Sequence, residues 1–296
     1  NCKIILTEKK KIYFFSCPKK INQIKKNKQY KNLIFCTYKE FSKVIYKLKG
    51  KNFCIDNLTC SISNESIISK SFRIKLKTDP CYMMKSIKNK IEIKHTRDAH
   101  FKDGLALTKF IFWIKNINQK KITEIEAKNK LEKFRKLNKD YLFPSFDTIA
   151  GTGSNGAIIH YRVNKKSNKV IKKNDIFLCD SGGQYNYGTT DVTRTICFSE
   201  QKKSIKDAFT NVLKGHIAVA QTNLNKINTG KKIDASARKF LNRDGLDYAH
   251  GTGHGVGFFL NVHEGPQSIS KYNSVKIKEG MILSNEPGYY KKGYYG

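Results

Sequence analysis

The sequence is poor in acidic residues and in arginine. It holds 24 aspartates and glutamates against 57 lysines and arginines, and only seven of the basic residues are arginine. Nucleic-acid interfaces rely on arginine, whose planar guanidinium contacts phosphates and bases through paired hydrogen bonds. Because lysine is spread through every segment, we interpret the net charge of +33 as a bias of composition. We therefore predict no nucleic-acid partner despite the basic charge.

Long apolar runs and paired cysteine motifs are also absent. No run approaches the ~18 apolar residues of a membrane helix. The apolar start at residues 4–6 is too short for a signal peptide and is followed by lysines. The eight cysteines are irregularly spaced and include no CxxC pair. We expect a soluble, cytoplasmic protein with buried free thiols and no membrane association.

The pattern of the chain changes near residue 85. Residues 1–84 show short strand and helix patterns without a chemical motif, typical of a small α/β domain. Residues 85–296 are predicted to be an α+β domain, with helices packed on a largely antiparallel sheet. Three helices are predicted in this domain. The first spans 98–114, with Phe101, Leu105, Phe110 and Trp113 on its apolar face. The second follows a capping box at Thr123, and the third spans 205–217. Strands are predicted at 158–161, 176–179, 191–198 and 281–284.

Two aspartates flank a glycine-rich turn. Asp180 ends an apolar strand pattern, and Asp191 begins a β-branched one. On the two arms of a hairpin, both carboxylates can face one point. A buried carboxylate pair is costly unless a cation or a shared proton compensates it. Two aspartates that cap turns are the alternative interpretation.

Histidines and a glutamate add further metal donors. His250, His254 and His263 lie within fourteen positions, and the glycines between the first two make a helix improbable. Glu286 follows a strand pattern and precedes a proline, which restricts it to an extended backbone. An oxygen-rich set with imidazoles favours manganese, cobalt or iron over structural zinc. Several carboxylates at one place suggest two metals ~3.5–4 Å apart that activate a bridging water, and thus an amide or ester hydrolase.

These motifs resemble the metal-ligand motifs of the M24 pita-bread peptidases: methionine aminopeptidase, prolidase and aminopeptidase P. The chain is most similar to aminopeptidase P of the cytosolic eukaryotic type. This similarity is carried by residues 156–161, 180–195, 213–219 and 251–266. The resemblance implies a pita-bread domain at 85–296, preceded at 1–84 by part of a smaller creatinase-like α/β domain.

The resemblance also implies an activity and residue roles. The chain would hydrolyse the N-terminal Xaa-Pro bond of peptides through a hydroxide held by two divalent metals, with Mn²⁺ favoured and Co²⁺, Fe²⁺ or Zn²⁺ as alternatives. A homodimer is a further expectation. Asp180, Asp191, His254 and Glu286 would bind the metals, and Glu286 would also be the general base. His160, His250 and His263 would line the substrate site, and Arg194 would support a ligand carboxylate.

One departure concerns the family's fifth ligand. That glutamate would be position 300, beyond Gly296, and the last strand of the domain would be missing with it. Since the chain also begins without methionine, we interpret it as truncated at both ends and expect an incomplete two-metal site. Three alternatives stay open: a prolidase acting on Xaa-Pro dipeptides, a pita-bread protein that only binds, and an inactive truncated product. Asn285, where an acid is common, is a smaller departure.

Overall fold

The computed structural model describes residues 2–117 and 121–296. The chain forms two compact units, Asn1–Pro80 and Cys81–Gly296. This division lies slightly before the one predicted after residue 84. No helix among the described residues is long and apolar enough to cross a membrane.

The first unit is a small α/β domain with mostly parallel pairing. Its strands are β1 (Lys3–Leu6), β2 (Ile12–Ser16), β3 (Leu33–Thr37), β4 (Asn52–Ile55) and β5 (Arg73–Leu76). Its helices are α1 (Pro18–Lys25), α2 (Phe41–Lys47) and α3 (Ile62–Ser69). β2 lies between β1 and β3 and is parallel to β3, and β4 is parallel to β5. Phe15, Ile45 and Ile68 are in its core.

The second unit combines long helices with antiparallel strands. Its helices are α4 (Pro80–Ser86), α5 (Lys90–Asn116), α6 (Glu124–Lys136), α7 (Lys203–Ala220) and α8 (Gly230–Asn242). Its strands are β6 (Tyr141–Pro144), β7 (Ile149–Thr152), β8 (Ile176–Ser181), β9 (Gly183–Tyr185), β10 (Gly188–Thr189), β11 (Val192–Cys197), β12 (Gly253–His254) and β13 (Ser268–Ile269). The sheets are β11-β8-β7, β10-β9-β6 and β12-β13, and all of these pairs are antiparallel. The α+β prediction is confirmed.

The core of this unit lies between α5, α6 and the β11-β8-β7 sheet. Phe110 of α5, Leu131 of α6 and Phe177 of β8 are almost fully buried there. α6 begins at the predicted capping box, in which Thr123 and Glu126 satisfy each other's backbone N–H groups. This packing fixes β7 and β8, whose ends lead to the candidate functional residues.

Several predictions of local structure are wrong. Phe101 and Leu105 are exposed, because at their level of α5 the buried face carries Ala99, Asp103 and Ala106 instead. Residues 158–161 form turns rather than a strand. Residues 281–284 form only isolated bridges, since Met281 pairs with Ile87 whereas Leu283 pairs with Gly255. No disulfide joins the described cysteines, and Cys36 and Cys179 are buried as expected, but Cys54 is exposed.

A buried ion pair links α5 and α6 to the end of β8. Arg135 donates to both carboxylate oxygens of Asp103, at 2.7 and 3.0 Å, and to Ser181 Oγ at 3.0 Å. Tyr185 Oη donates to the same carboxylate at 2.7 Å. Both charged side chains are fully buried. Each charge is tolerated in the core because the other compensates it.

Asp103→Asn keeps the shape of this side chain but leaves the Arg135 guanidinium buried without a counter-charge. We expect a loss of about 3–5 kcal/mol in the free energy of unfolding. Trp113, the single tryptophan, packs against the core of this unit and reports its unfolding in denaturant. Glu200→Gln, which removes the exposed Glu200–Lys206 pair, is the control and should change the denaturant concentration at the midpoint of unfolding little. Equal midpoints for the two variants would contradict the prediction.

Candidate metal centre

Two antiparallel arms bring the aspartates together. Asp180 lies near the end of β8 opposite Thr193 of β11, and Asp191 directly precedes β11. A side chain at Gly182 would place its Cβ 1.9 Å from the carbonyl oxygen of Thr190, so only glycine fits where the arms meet. The predicted placement of both carboxylates on neighbouring arms is present in the structure.

A second pair of antiparallel segments brings His254 and Glu286 together. The Ser284 N–H donates to the His254 carbonyl at 2.8 Å, and the Glu286 N–H donates to the Thr252 carbonyl at 2.8 Å. A Cβ at Gly253 would lie 2.1 Å from the Ser284 carbonyl oxygen. The glycines around His254 therefore permit a backbone approach that any side chain would prevent.

The side chains of Asp191 and Glu286 meet at the ring of His254. Its Nε2 lies 3.1 Å from Asp191 Oδ2 and 3.2 Å from Glu286 Oε1. Its Nδ1 lies 2.9 Å from the Gly255 carbonyl, to which it can only donate. In the neutral ring, Nε2 is then the nitrogen with a lone pair, as a metal ligand requires. Ser284 Oγ donates to Glu286 Oε1 at 2.6 Å and orients that carboxylate.

The clustered charges shift the pKa values of the centre. Burial, with the neighbouring Asp191 and Glu286 carboxylates, raises the pKa of Asp180 to about 7. Burial opposes the charged form of His254, but hydrogen bonds to Asp191 and Glu286 raise its pKa to about 10. Burial also opposes ionisation of Glu286, yet bonds from His254 and Ser284 hold its pKa below the usual range. The carboxylates thus require positive charge, which the protonated His254 supplies.

The donor set fits a divalent metal. Asp180 Oδ1 is buried and has no hydrogen-bond partner among the described residues, although a carboxylate oxygen in such surroundings needs a donor or a cation. Within the described ranges, no three or more histidine, cysteine, aspartate or glutamate side chains are arranged to hold a metal ion as they stand, and His254 Nε2 lies within 3.2 Å of two of the carboxylates. Metal binding would thus replace the His254 proton with the ion.

The three other candidate histidines differ in placement. His263 packs edge-on against His254, with ring centroids 4.2 Å apart. Burial and the charge of His254 lower the pKa of His263, so its ring is neutral at neutral pH. His250 is engaged at both nitrogens, with the Gly251 carbonyl at 2.7 Å and Tyr290 Oη at 2.9 Å. His160 is exposed and has a left-handed backbone, with φ of 56°.

Two sequence-based expectations concerned neighbouring residues. Arg194 is exposed and donates to the Thr193 carbonyl at 2.7 Å rather than to a carboxylate, so its predicted supporting role is wrong. The Asn285 amide donates to the His216 carbonyl at 2.9 Å and is therefore directed toward α7, away from His254.

Sequence reasoning missed three residues that shape the centre. Tyr290 bonds to His250, and Ser284 to Glu286. Lys88 forms a buried ion pair with Glu264, directly after His263. The tyrosine and serine beside Glu286 could have been noticed as neighbours of a candidate ligand. Lys88 could not, because 176 positions separate it from Glu264.

The part of the chain that carries this centre also matches a known protein family. The profile of metallopeptidase family M24 matches residues 94–296. A probable Xaa-Pro aminopeptidase P of Sordaria macrospora is 50% identical over 218 residues, which are 72% of this chain and 36% of that protein. One of Laccaria bicolor is 49% identical over 222 residues, 73% of this chain and 35% of that protein. The chain thus spans about a third of the length of these curated relatives.

Solved structures share the fold. An X-prolyl aminopeptidase from Caenorhabditis elegans, described as a cytosolic enzyme with a di-nuclear active site, superposes with a TM-score of 0.84 at 31% identity. The match covers 96% of this chain and 48% of that one. A prolidase from Pyrococcus furiosus gives a TM-score of 0.81 at 26% identity, covering 99% and 84%. The predicted pita-bread fold and the resemblance to aminopeptidase P are confirmed.

Metal binding should release more protons at pH 6 than at pH 8. With a pKa of about 7, Asp180 is mostly protonated at pH 6 and mostly ionised at pH 8, whereas His254, with a pKa of about 10, is protonated at both. Ligands bind metal in their deprotonated forms. We therefore expect weaker Mn²⁺ binding and a larger proton release at pH 6, measured by calorimetry in buffers of different ionisation enthalpy.

Asp180→Asn is the control for this prediction. It removes the group that titrates between the two pH values and leaves His254 charged at both. Proton release per bound ion should then become nearly independent of pH. Equal proton release at pH 6 and pH 8 by the unsubstituted protein would contradict the prediction.

Proposed function

Because the chain belongs to metallopeptidase family M24, we propose that it is a metal-dependent aminopeptidase that hydrolyses the peptide bond between an N-terminal residue and a following proline. The observation that supports this most directly is the convergence of two carboxylates on the Nε2 atom of His254. The names of the curated relatives support the choice of an Xaa-Pro substrate.

We assign two divalent metals to this centre, with Mn²⁺ favoured and Co²⁺, Fe²⁺ or Zn²⁺ as alternatives. Asp180, Asp191, His254 and Glu286 are the residues that would hold them. When bound, the ions would polarise the scissile carbonyl and lower the pKa of water. The donors are mostly carboxylate oxygens, which suit Mn²⁺.

Glu286 is the residue that we assign as general base. Ser284 and His254 both contact its Oε1. Oε2 is therefore the oxygen that would accept a proton from the attacking water. The pKa of Glu286 lies below its usual range, so the carboxylate is ionised at neutral pH, as a general base must be.

The histidines around the centre are assigned to the substrate. His263 is neutral and lies against His254, so its N–H can donate to the carbonyl oxygen as negative charge develops there. His160 would hold the same substrate from an exposed position. Both nitrogens of His250 are already bonded. We therefore assign His250 to the wall of the substrate site, where it orients Tyr290. A cytoplasmic location and a homodimer stay predictions.

The proposal predicts which peptides are cleaved. The complete product of the coding sequence, supplied with Mn²⁺, should release the first residue from Xaa-Pro-Yaa tripeptides but not from Xaa-Ala-Yaa, and a chelator should abolish this. Release is followed by chromatography. Cleavage of Xaa-Pro dipeptides alone would indicate a prolidase instead. Absence of metal uptake, together with nucleic-acid binding that falls steeply with salt, would overturn the proposal in favour of a binding protein.

His254→Ala should lower kcat/KM for the tripeptide by about 100-fold or more, because losing a ligand exceeds the 10–100-fold effect of losing its outer partner. His216→Ala is the matched control, since the ring of this exposed histidine of α7 hydrogen-bonds to the Asn285 carbonyl and, among the residues that the structure describes, to none of the candidate metal ligands. Its activity should stay near that of the unsubstituted protein. Similar losses in both variants would contradict the assignment of His254.

A further inference from the structure

One of the buried carboxylates that lie apart from the candidate metal ligands belongs to α6. Glu124, the first residue of α6, is fully buried. Its Oε1 accepts from the Thr152 N–H at 2.8 Å and from Asn155 Nδ2 at 3.0 Å. Its Oε2 accepts from Tyr161 Oη at 3.0 Å and from the Lys169 N–H at 3.1 Å. An ionised carboxylate in the interior needs such compensation by donors.

Capping of α6 does not account for this arrangement. The helix already has a complete capping box, in which Thr123 Oγ1 accepts from the Glu126 N–H and Glu126 accepts from the Thr123 N–H. Glu124 instead directs its carboxylate away from its own helix, onto groups 28 to 45 positions further along the chain. Its contacts therefore stabilise another part of the unit.

Three of the four partners belong to the segment that carries His160. Thr152 ends β7 at the start of this segment, Asn155 lies in its middle, and Tyr161 directly follows His160. Between them the chain forms one 3-10 turn and irregular turns. His160 has a φ of 56°, a conformation that non-glycine residues rarely adopt without support from their surroundings.

His160 is one of the histidines that the proposed function assigns to the substrate. Because it lies between Asn155 and Tyr161, the placement of the 152–161 segment decides where its imidazole stands.

We propose that Glu124 is a positioning residue for His160: its buried carboxylate joins the start, middle and end of the 152–161 segment and so sets the place of the His160 imidazole. This inference rests on the proposed function, in which His160 holds the substrate. Glu124 itself does not touch the substrate, and its effect on turnover passes through His160.

A double-mutant cycle tests this dependence. Glu124→Gln keeps the shape of the side chain, but it replaces one carboxylate oxygen with an amide N–H₂ group. That group cannot accept hydrogen bonds from the donors on its side. We expect kcat/KM for an Xaa-Pro-Yaa tripeptide to fall roughly 10- to 100-fold, as for a displaced substrate-holding group, with unchanged Mn²⁺ affinity. In a His160→Ala background the same substitution should cause no further loss. If the double variant instead lost kcat/KM by the product of the two single losses, the substitutions would act independently and the proposal would be overturned.

Glu126→Gln is the matched control for this cycle. It makes the same chemical change two residues away on the same helix, at an exposed position where glutamine also completes a capping box. Its kcat/KM should equal that of the unsubstituted protein.

A readout without catalysis separates this inference from the proposed function. In protein with ¹³C-labelled histidine rings, the His160 signal is identified by its loss in His160→Ala. Glu124→Gln should shift that signal and leave the signal of His216 on α7 in place, whether or not the protein cleaves peptides. An unshifted His160 signal would overturn the proposal. If Trp113 fluorescence shows that Glu124→Gln is unfolded, Asn155→Ala, which removes one donor to Glu124, should give the same shift.

Discussion

The second unit depends on a concentration of negative charge that it cannot leave uncompensated. Asp180, Asp191 and Glu286 converge in a partly buried region, and the mutual repulsion of carboxylates in such surroundings must be offset by a cation. His254 supplies that charge in the structure, with Nε2 between two of the carboxylates. Carboxylates that stabilise a protonated imidazole in this way also attract a divalent cation. Such an ion carries twice the positive charge of the imidazolium and so compensates more of the carboxylate charge.

Rigid surroundings hold these like charges together. The four candidate ligands lie on strands or on closely paired segments, where Gly182 and Gly253 allow the backbones to approach. Buried polar groups then anchor neighbouring segments to the helices. Arg135 bonds to Ser181, next to Asp180, and Glu124 bonds to the segment that carries His160. Such support from fixed elements is what a site needs to keep its donors within a few tenths of an ångström.

The sequence indicated the four candidate metal ligands much more clearly than the residues that support them. Asp180, Asp191, His254 and Glu286 stand out because glycine, proline and strand patterns beside them are local signals. Glu124 and Lys88 do not stand out, because their partners are 28 and 176 positions away and a charged residue on a helix usually faces solvent. The failed strand at residues 158–161 has a similar origin, since the one contact from this run to Glu124, made by Tyr161, joins positions 37 apart in the sequence and gives no local signal.

Anomalous diffraction from crystals of the protein soaked in Mn²⁺, recorded above the manganese absorption edge, tests most directly whether these four residues form a metal centre. We expect the strongest peaks among Asp180, Asp191, His254 and Glu286, with His254 Nε2 turned from the carboxylates to the ion. Manganese bound only elsewhere, with His254 still hydrogen-bonded to Asp191 and Glu286, would contradict the assignment of this cluster as the catalytic centre.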